Sequence, residues 1–195
     1  MRLFTFIFSL FFAFQVAAFN PSDLRAFGKS APVQMYLFTS LGCPYCADFH
    51  KKILPTLKKE YADTGKAQII VVDMIHGGNS LLATQAVRCL DVGKADKLED
   101  DLYANQSKWM RKDAEDAKKV IASFAARQGM TQKLLDLCLT DQNLQETIID
   151  QQANLARLYG VNSFPTLVMR DGSEVRKWSG VDKKIFTELK EAFQK

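Results

Sequence analysis

Two cysteines three residues apart, in Cys43-Pro44-Tyr45-Cys46, are the part of this sequence best equipped for chemistry. Residues so spaced at the start of a helix have Cα atoms roughly 5 to 5.5 Å apart, inside the disulfide range, so the pair can close and reopen with little backbone movement. Pro44 suits the first helical turn, where a missing N–H costs nothing. Cys43, just before that turn, meets unpaired N–H groups and the positive end of the helix dipole, which favour thiolate over thiol. Cys43 is therefore the expected nucleophile, and Cys46, one turn inward, the thiol that resolves a mixed disulfide. Two other uses of such a pair fit less well. Structural bridges usually tie distant segments, and a four-residue loop removes little chain entropy. A zinc site needs two further ligands, and Cys89, Cys138, His50 and His76 hold no second short-spaced pair, so no metal or other cofactor is expected.

The surrounding sequence supplies a strand-to-helix junction. Residues 33–39 are apolar and partly aromatic, as in a strand buried on both faces, and Leu41-Gly42 turns the chain. From Pro44, apolar side chains recur four apart at Phe49, Ile53, Leu57 and Tyr61, predicting a helix that ends near Thr64-Gly65 and is kinked by Pro55. A second buried strand is expected over 68–73, and strand, helix and strand with short links form a right-handed parallel unit. Residues 80–151 contain no strand-like run and read as several helices, the last continuing over 144–159 with Gly160 placed to cap it. Asp171-Gly172 between two strand-like runs signals a hairpin, and a final helix is expected over 182–193. The expected division is a leader over 1–18, a first α/β part over 19–79, an inserted helical domain over 80–151 and a second α/β part over 152–195.

That leader carries one charge, Arg2, then a mostly apolar run over 3–14 and the small residues Ala17-Ala18. It reads as a secretory signal cleaved near Ala18, since the run falls short of the ~20 residues a membrane-spanning helix needs. Export to the periplasm or beyond places the chain where disulfides form. In 195 residues, 47% hydrophobic and 25% charged composition excludes disordered and fibrous classes. Loss of Arg2 leaves 25 basic against 22 acidic side chains, too small a surplus to argue for nucleic acid. The pairs Lys51-Lys52, Lys58-Lys59, Lys118-Lys119 and Lys183-Lys184 read as solvated helix faces, and Trp109 and Trp178 as core or edge aromatics, with recognition by an exposed Trp109 as the other use.

The second chemical feature is Val161-Asn162-Ser163-Phe164-Pro165-Thr166-Leu167. A proline entering a strand removes a ladder donor and, when cis, forms a tight turn; a trans proline on an edge strand is the alternative. With the strand, Cys-Pro-Tyr-Cys and helix, the helical insertion and the hairpin, this stretch resembles the thioredoxin fold, and within it the DsbA family of exported thiol-disulfide oxidoreductases. The resemblance covers nearly all of the mature chain. It implies an α/β thioredoxin fold with an inserted all-helical domain, and a cis-proline at Pro165 beside the cysteine pair. It also implies a substrate groove lined by Phe164 and Pro165, and a membrane quinone-linked partner that reoxidises the pair. Cys89 and Cys138 lie in stretches that resemble family members with paired cysteines there. A bridge between them would close about 50 residues and contribute roughly 4 kcal/mol in the chain-entropy account; two buried free thiols are the alternative.

Two departures from the family pattern matter. The position six residues before the first cysteine, often a buried acid, is Leu37, so proton transfer at Cys46 falls to water or another group; His50 is a candidate, although a helix-surface role suits it better. The Pro44-Tyr45 dipeptide lacks the histidine of the strongest oxidants, which places the expected potential between roughly −120 mV and roughly −200 to −230 mV. The reading is a monomeric dithiol oxidase acting on reduced secreted proteins. Its rivals are a disulfide isomerase or reductase, disfavoured because residues 19–31 leave little room for an N-terminal dimerisation module, and a peptide-binding chaperone with a passive disulfide.

Overall fold

Strands β2 (Val33–Thr39) and β3 (Ala67–Asp73) run parallel, with Val33 opposite Ala67 and Thr39 opposite Asp73. Their continuous apolar sequences follow from burial on both faces: Met35 and Leu37 pack to one side of the sheet, Tyr36 and Phe38 to the other. The structure is a computed structural model describing residues 24–194; the leader expected over 1–18 lies outside the described residues. Strand β4 (Thr166–Asp171) pairs antiparallel with β2 and with β5 (Glu174–Ser179) through the Asp171-Gly172 turn. Strand β1 (Ala26–Phe27) lies antiparallel on β3, giving the order β1-β3-β2-β4-β5. Two residues carry no readable alternation, so β1 was not expected from the sequence.

Helices α1 (Pro44–Lys52) and α2 (Leu54–Leu57) follow β2, then a π-helical turn over Lys58–Ala62. The single helix expected here is interrupted at Ile53, because Pro55 has no N–H to offer the carbonyl of residue 51. Phe49, Ile53 and Leu57 from this run cover one sheet face with Leu189 of α9 (Lys184–Ala192). The opposite face is covered by Leu155 and Tyr159 of α8 (Gln142–Tyr159), which is stopped by Gly160 at φ +59°. This helix runs unbroken across the 151/152 boundary set from the sequence.

Between β3 and α8 lie α3 (Gly78–Arg88), α4 (Val92–Ala104), α5 (Gln106–Trp109), α6 (Ala114–Arg127) and α7 (Gln132–Thr140). The last two, like α8, begin with a side-chain cap: Asp113, Thr131 and Asp141 each accept from the backbone N–H three residues on. Leu98, Leu102, Trp109, Ile121 and Leu135 form the core of this insertion, and the same apolar cluster includes Cys43 and Cys46. Trp109 is fully buried, its Nε1–H donating to the Leu102 carbonyl at 3.0 Å, which removes it from any surface role.

Buried charge also joins insertion to sheet. Arg25, beside β1, donates to Glu99 of α4 at 2.8 and 2.6 Å and to Asp96 at 2.9 Å. Burial opposes the Arg25 charge, but Glu99, Asp73 and Asp96 outweigh it and hold the guanidinium above its ordinary pKa. At the end of β3, Asp73 accepts from Arg88 of α3 at 3.1 Å; burial pushes its carboxyl up, while Arg88 and Arg25 pull it down.

Candidate functional site

The junction of β2 with α1 builds the site. After Thr39 the chain turns through Ser40-Leu41-Gly42, closed by the Cys43 N–H donating to the Ser40 carbonyl at 3.1 Å. Gly42 sits so close to the loop before α3 that a β-carbon there would lie 3.1 Å from the His76 carbonyl oxygen and 3.0 Å from Ser80 Cβ. Cys43 is the N-cap residue of α1, with extended backbone, and Pro44 opens the first turn. The Cys43 carbonyl accepts from the Ala47 N–H at 3.1 Å and from Gln106 Nε2 of α5 at 3.0 Å; Gln106 also donates to the Leu41 carbonyl at 2.6 Å. One amide of the insertion thus pins both ends of the turn that presents Cys43.

Both sulfurs of the pair are free thiols. Cys43 makes no side-chain cap hydrogen bond; its thiol donates to the Phe164 carbonyl at 3.8 Å. The Phe164–Pro165 peptide is cis, and the loop that carries it is held by Thr166 Oγ1 donating to Ser163 and by the Gly180 N–H donating to Pro165. Phe164 meets the His76 ring edge-on at 5.9 Å. The structure therefore brings Cys43, Cys46, Phe164 and Pro165 to one place, with Tyr45 70% exposed beside them.

Cys46 is 0% exposed, and its surroundings differ from those of Cys43. Burial pushes its thiol up to about 12, against the opposing pull of the Ser40 N–H, 3.3 Å from the sulfur, and of a hydrogen bond from the Thr39 side chain. The Thr39 hydroxyl in turn lies 2.7 Å from the Tyr103 hydroxyl of α4. Leu37 sits in the apolar cluster with Met35 and Phe49, so this position brings no charge to the inner thiol. His50 is turned to α4 instead: its Nε2 is 2.6 Å from Asp100 Oδ1 and its ring stacks on Tyr103 at 4.6 Å. An open groove of about 830 Å³ runs along this side, lined by Ala47, His50 and Tyr103 among others.

Cys89 and Cys138 are joined by a disulfide between the end of α3 and α7, across a sequence separation of 49. Gln85 Nε2 braces it by donating to the Cys138 carbonyl at 3.1 Å. Among the described residues, no group of three or more His, Cys, Asp or Glu side chains is arranged to hold a metal ion. Thr39, Tyr103 and Gln106 were missed by sequence reasoning. Thr39 had a faint signal, a polar residue ending an apolar strand; Tyr103 and Gln106 had none, because their roles depend on how the insertion docks.

A family model described as "Thioredoxin" matches residues 24–185, and the chain belongs to the thioredoxin family. Its sequence is 26% identical over 131 residues to a Rickettsia bellii protein named "Putative protein-disulfide oxidoreductase", covering 67% of this chain and 50% of that one. It is 33% identical over 106 residues to the Bacillus cereus "Probable disulfide bond formation protein D", covering 49% of this chain and 48% of that one. The chain thus spans about half the length of these curated relatives. The crystal structure of Wolbachia pipientis alpha-DsbA1 superposes with a TM-score of 0.77 at 21% identity, over 87% of this chain and 90% of that one. The fold is therefore the DsbA-like form of the thioredoxin fold, α/β with a helical insertion.

Proposed function

We propose that this chain is an exported dithiol oxidase that introduces disulfides into secreted proteins through the Cys43–Cys46 pair. A substrate thiolate attacks the bridged pair at Cys43, the Cys43–Cys46 bond breaks, and a mixed disulfide forms. A second substrate thiolate then attacks the substrate's sulfur of that bond, releasing oxidised substrate and the reduced pair. The observation that carries this reading is the asymmetry of the two sulfurs. Cys43 caps a helix and faces the Phe164 carbonyl, whereas Cys46 is sealed one turn inward with its proton held. The names of the curated relatives support disulfide chemistry at such a pair.

Phe164 and Pro165 serve as the substrate-binding edge, with the Phe164 carbonyl pairing to an extended substrate backbone. Pro44 and Tyr45 form the exposed rim, and the Cys89–Cys138 bridge has a structural role. Residues 1–18 direct export, with cleavage near Ala18, and a membrane quinone-linked protein reoxidises the pair. The helical insertion interrupts the thioredoxin fold within 80–151.

The test is a pair of variants incubated with a reduced secreted protein. With glutathione disulfide supplied as the oxidant, Cys43→Ser abolishes turnover, whereas Cys46→Ala, loaded at Cys43 as the glutathione mixed disulfide, exchanges glutathione for the substrate and accumulates a protein mixed disulfide, seen as a mass adduct that dithiothreitol removes. Oxidase activity retained by Cys43→Ser would place the nucleophile elsewhere.

A further inference from the structure

The turn that delivers Cys43 to the head of α1 is held from the insertion by its backbone carbonyls. Gln106 Nε2 donates to the Leu41 carbonyl at 2.6 Å and to the Cys43 carbonyl at 3.0 Å. A primary amide nitrogen carries two hydrogens, and both are spent on the carbonyls that bracket Gly42. The platform behind this amide is itself fixed. Gln106 opens α5, whose Trp109 is fully buried with its Nε1–H on the Leu102 carbonyl. Asn79 Nδ2 of α3 lies within hydrogen-bond distance of the Trp109, Met110 and Lys112 carbonyls, at 3.2, 3.1 and 2.9 Å. Gly42, between the two held carbonyls, abuts the loop before α3 so closely that a β-carbon would lie 3.1 Å from the His76 carbonyl oxygen.

We propose that Gln106 is a positioning residue for disulfide exchange: by fixing the Leu41 and Cys43 carbonyls it sets the direction in which the Cys43 sulfur meets an incoming thiolate. The inference rests on the oxidoreductase reading above. The attacking thiolate forms a bond to Cys43 Sγ as the Cys43–Cys46 bond breaks. The electron pair of that bond leaves on Cys46 Sγ, which then takes a proton from solvent. Attack and departure lie close to one line through Cys43 Sγ, so a small rotation of Cys43 slows the step without removing any reacting group. The neighbouring parts are set by other contacts: Cys46 Sγ accepts from the Ser40 N–H at 3.3 Å, and the cis-proline loop is tied by Thr166 to Ser163 and by Gly180 to Pro165. What the amide supplies is the orientation of Cys43 relative to them. Gln106 acts through the Cys43 backbone, not on a reacting atom.

The experiment measures the rate at which glutathione opens the Cys43–Cys46 bridge in the full chain, by acid quench, alkylation and mass spectrometry, at pH 8 and at pH 4. Gln106→Met keeps the length of the side chain and removes both donors; about tenfold slower opening is expected at both pH values, since misplacing a reacting group costs rate steeply. Gln106→Glu keeps the shape and makes the donor count depend on pH. Ionised at pH 8, it has no hydrogen to give and sets its oxygens against two carbonyls, so it opens more slowly than Gln106→Met. At pH 4 the same carboxyl, its ionised form disfavoured by the facing carbonyls, carries a proton and donates to one of them, so it opens faster than Gln106→Met. A space-filling Gln106 would not produce this crossing. Because the wild-type contact is amide to carbonyl, the wild-type rate supplies the baseline at each pH.

A Gln106→Met rate within about twofold of wild type at pH 8 would overturn the proposal, as would a Gln106→Glu rate no faster than that of Gln106→Met at pH 4. Should Gln106→Met not fold, Gln106→Glu decides alone: its rate relative to wild type must rise from pH 8 to pH 4, and a constant ratio refutes the proposal. A wild-type bridge inert to glutathione would remove the functional reading itself, an outcome distinct from equal rates in reactive variants.

Discussion

Cys46 has a titration that reaches beyond the active site. Its thiol is pushed from about 9 to about 12 by burial, so the folded protein holds this proton more tightly than the unfolded chain does. Where the folded state binds more protons, stability falls as pH rises. The contribution of this group is therefore complete below about pH 9 and is lost progressively toward about pH 12. Urea titrations of Cys43→Ser, with and without Cys46→Ser, isolate it: the variant that keeps Cys46 should lose stability more steeply above pH 9, and parallel curves would contradict the burial. At this scale much was legible in the sequence. The spacing of Cys43 and Cys46, and the proline before the strand at Thr166, are local patterns with local meaning. The polar contacts of Cys46 were not legible, since Tyr103 lies 57 residues away in sequence and reaches Thr39 only through the packing of α4.

The elements owe their arrangement to two kinds of join, apolar and ionic. Alternate residues of β2 feed two different cores, which is why its sequence is continuously apolar and why its burial on both faces could be read in advance. The ionic join could not. Arg25 precedes a two-residue strand without periodicity, and nothing in the sequence of α4 singles out Glu99 from Asp96, Asp100 and Asp101 as the acid that is buried. Removing Glu99 leaves a buried guanidinium short of its main partner, a situation that typically costs about 3–5 kcal/mol. Glu99→Gln should accordingly lower the unfolding free energy by several kcal/mol in urea, and a loss below about 1 kcal/mol would show that Asp96 and Asp73 suffice for Arg25. The broken helix after Pro44 marks where local reading stops: Pro55 announced a disturbance, but not that the chain would continue as a short second helix and a π-helical turn.

For the whole molecule, the insertion clamps the site: Gln106 holds the turn before α1, Tyr103 reaches Thr39, and the Cys89–Cys138 bridge ties α3 to α7. Replacing both of the bridged cysteines by serine should reduce stability by up to roughly 4 kcal/mol while leaving the rate of glutathione exchange at Cys43 unchanged. Mild reduction followed by alkylation should label Cys43 and Cys46 first; equal lability of all four would point to a relay between the pairs. The central claim is that the Cys43–Cys46 pair is an oxidant, more stable reduced than an ordinary structural bridge, and its most direct test is the equilibrium of that pair with glutathione. The expected reduction potential lies between roughly −120 mV and roughly −200 to −230 mV; a value at or below roughly −270 mV, where thioredoxin lies, would mean a pair built to reduce and would contradict it.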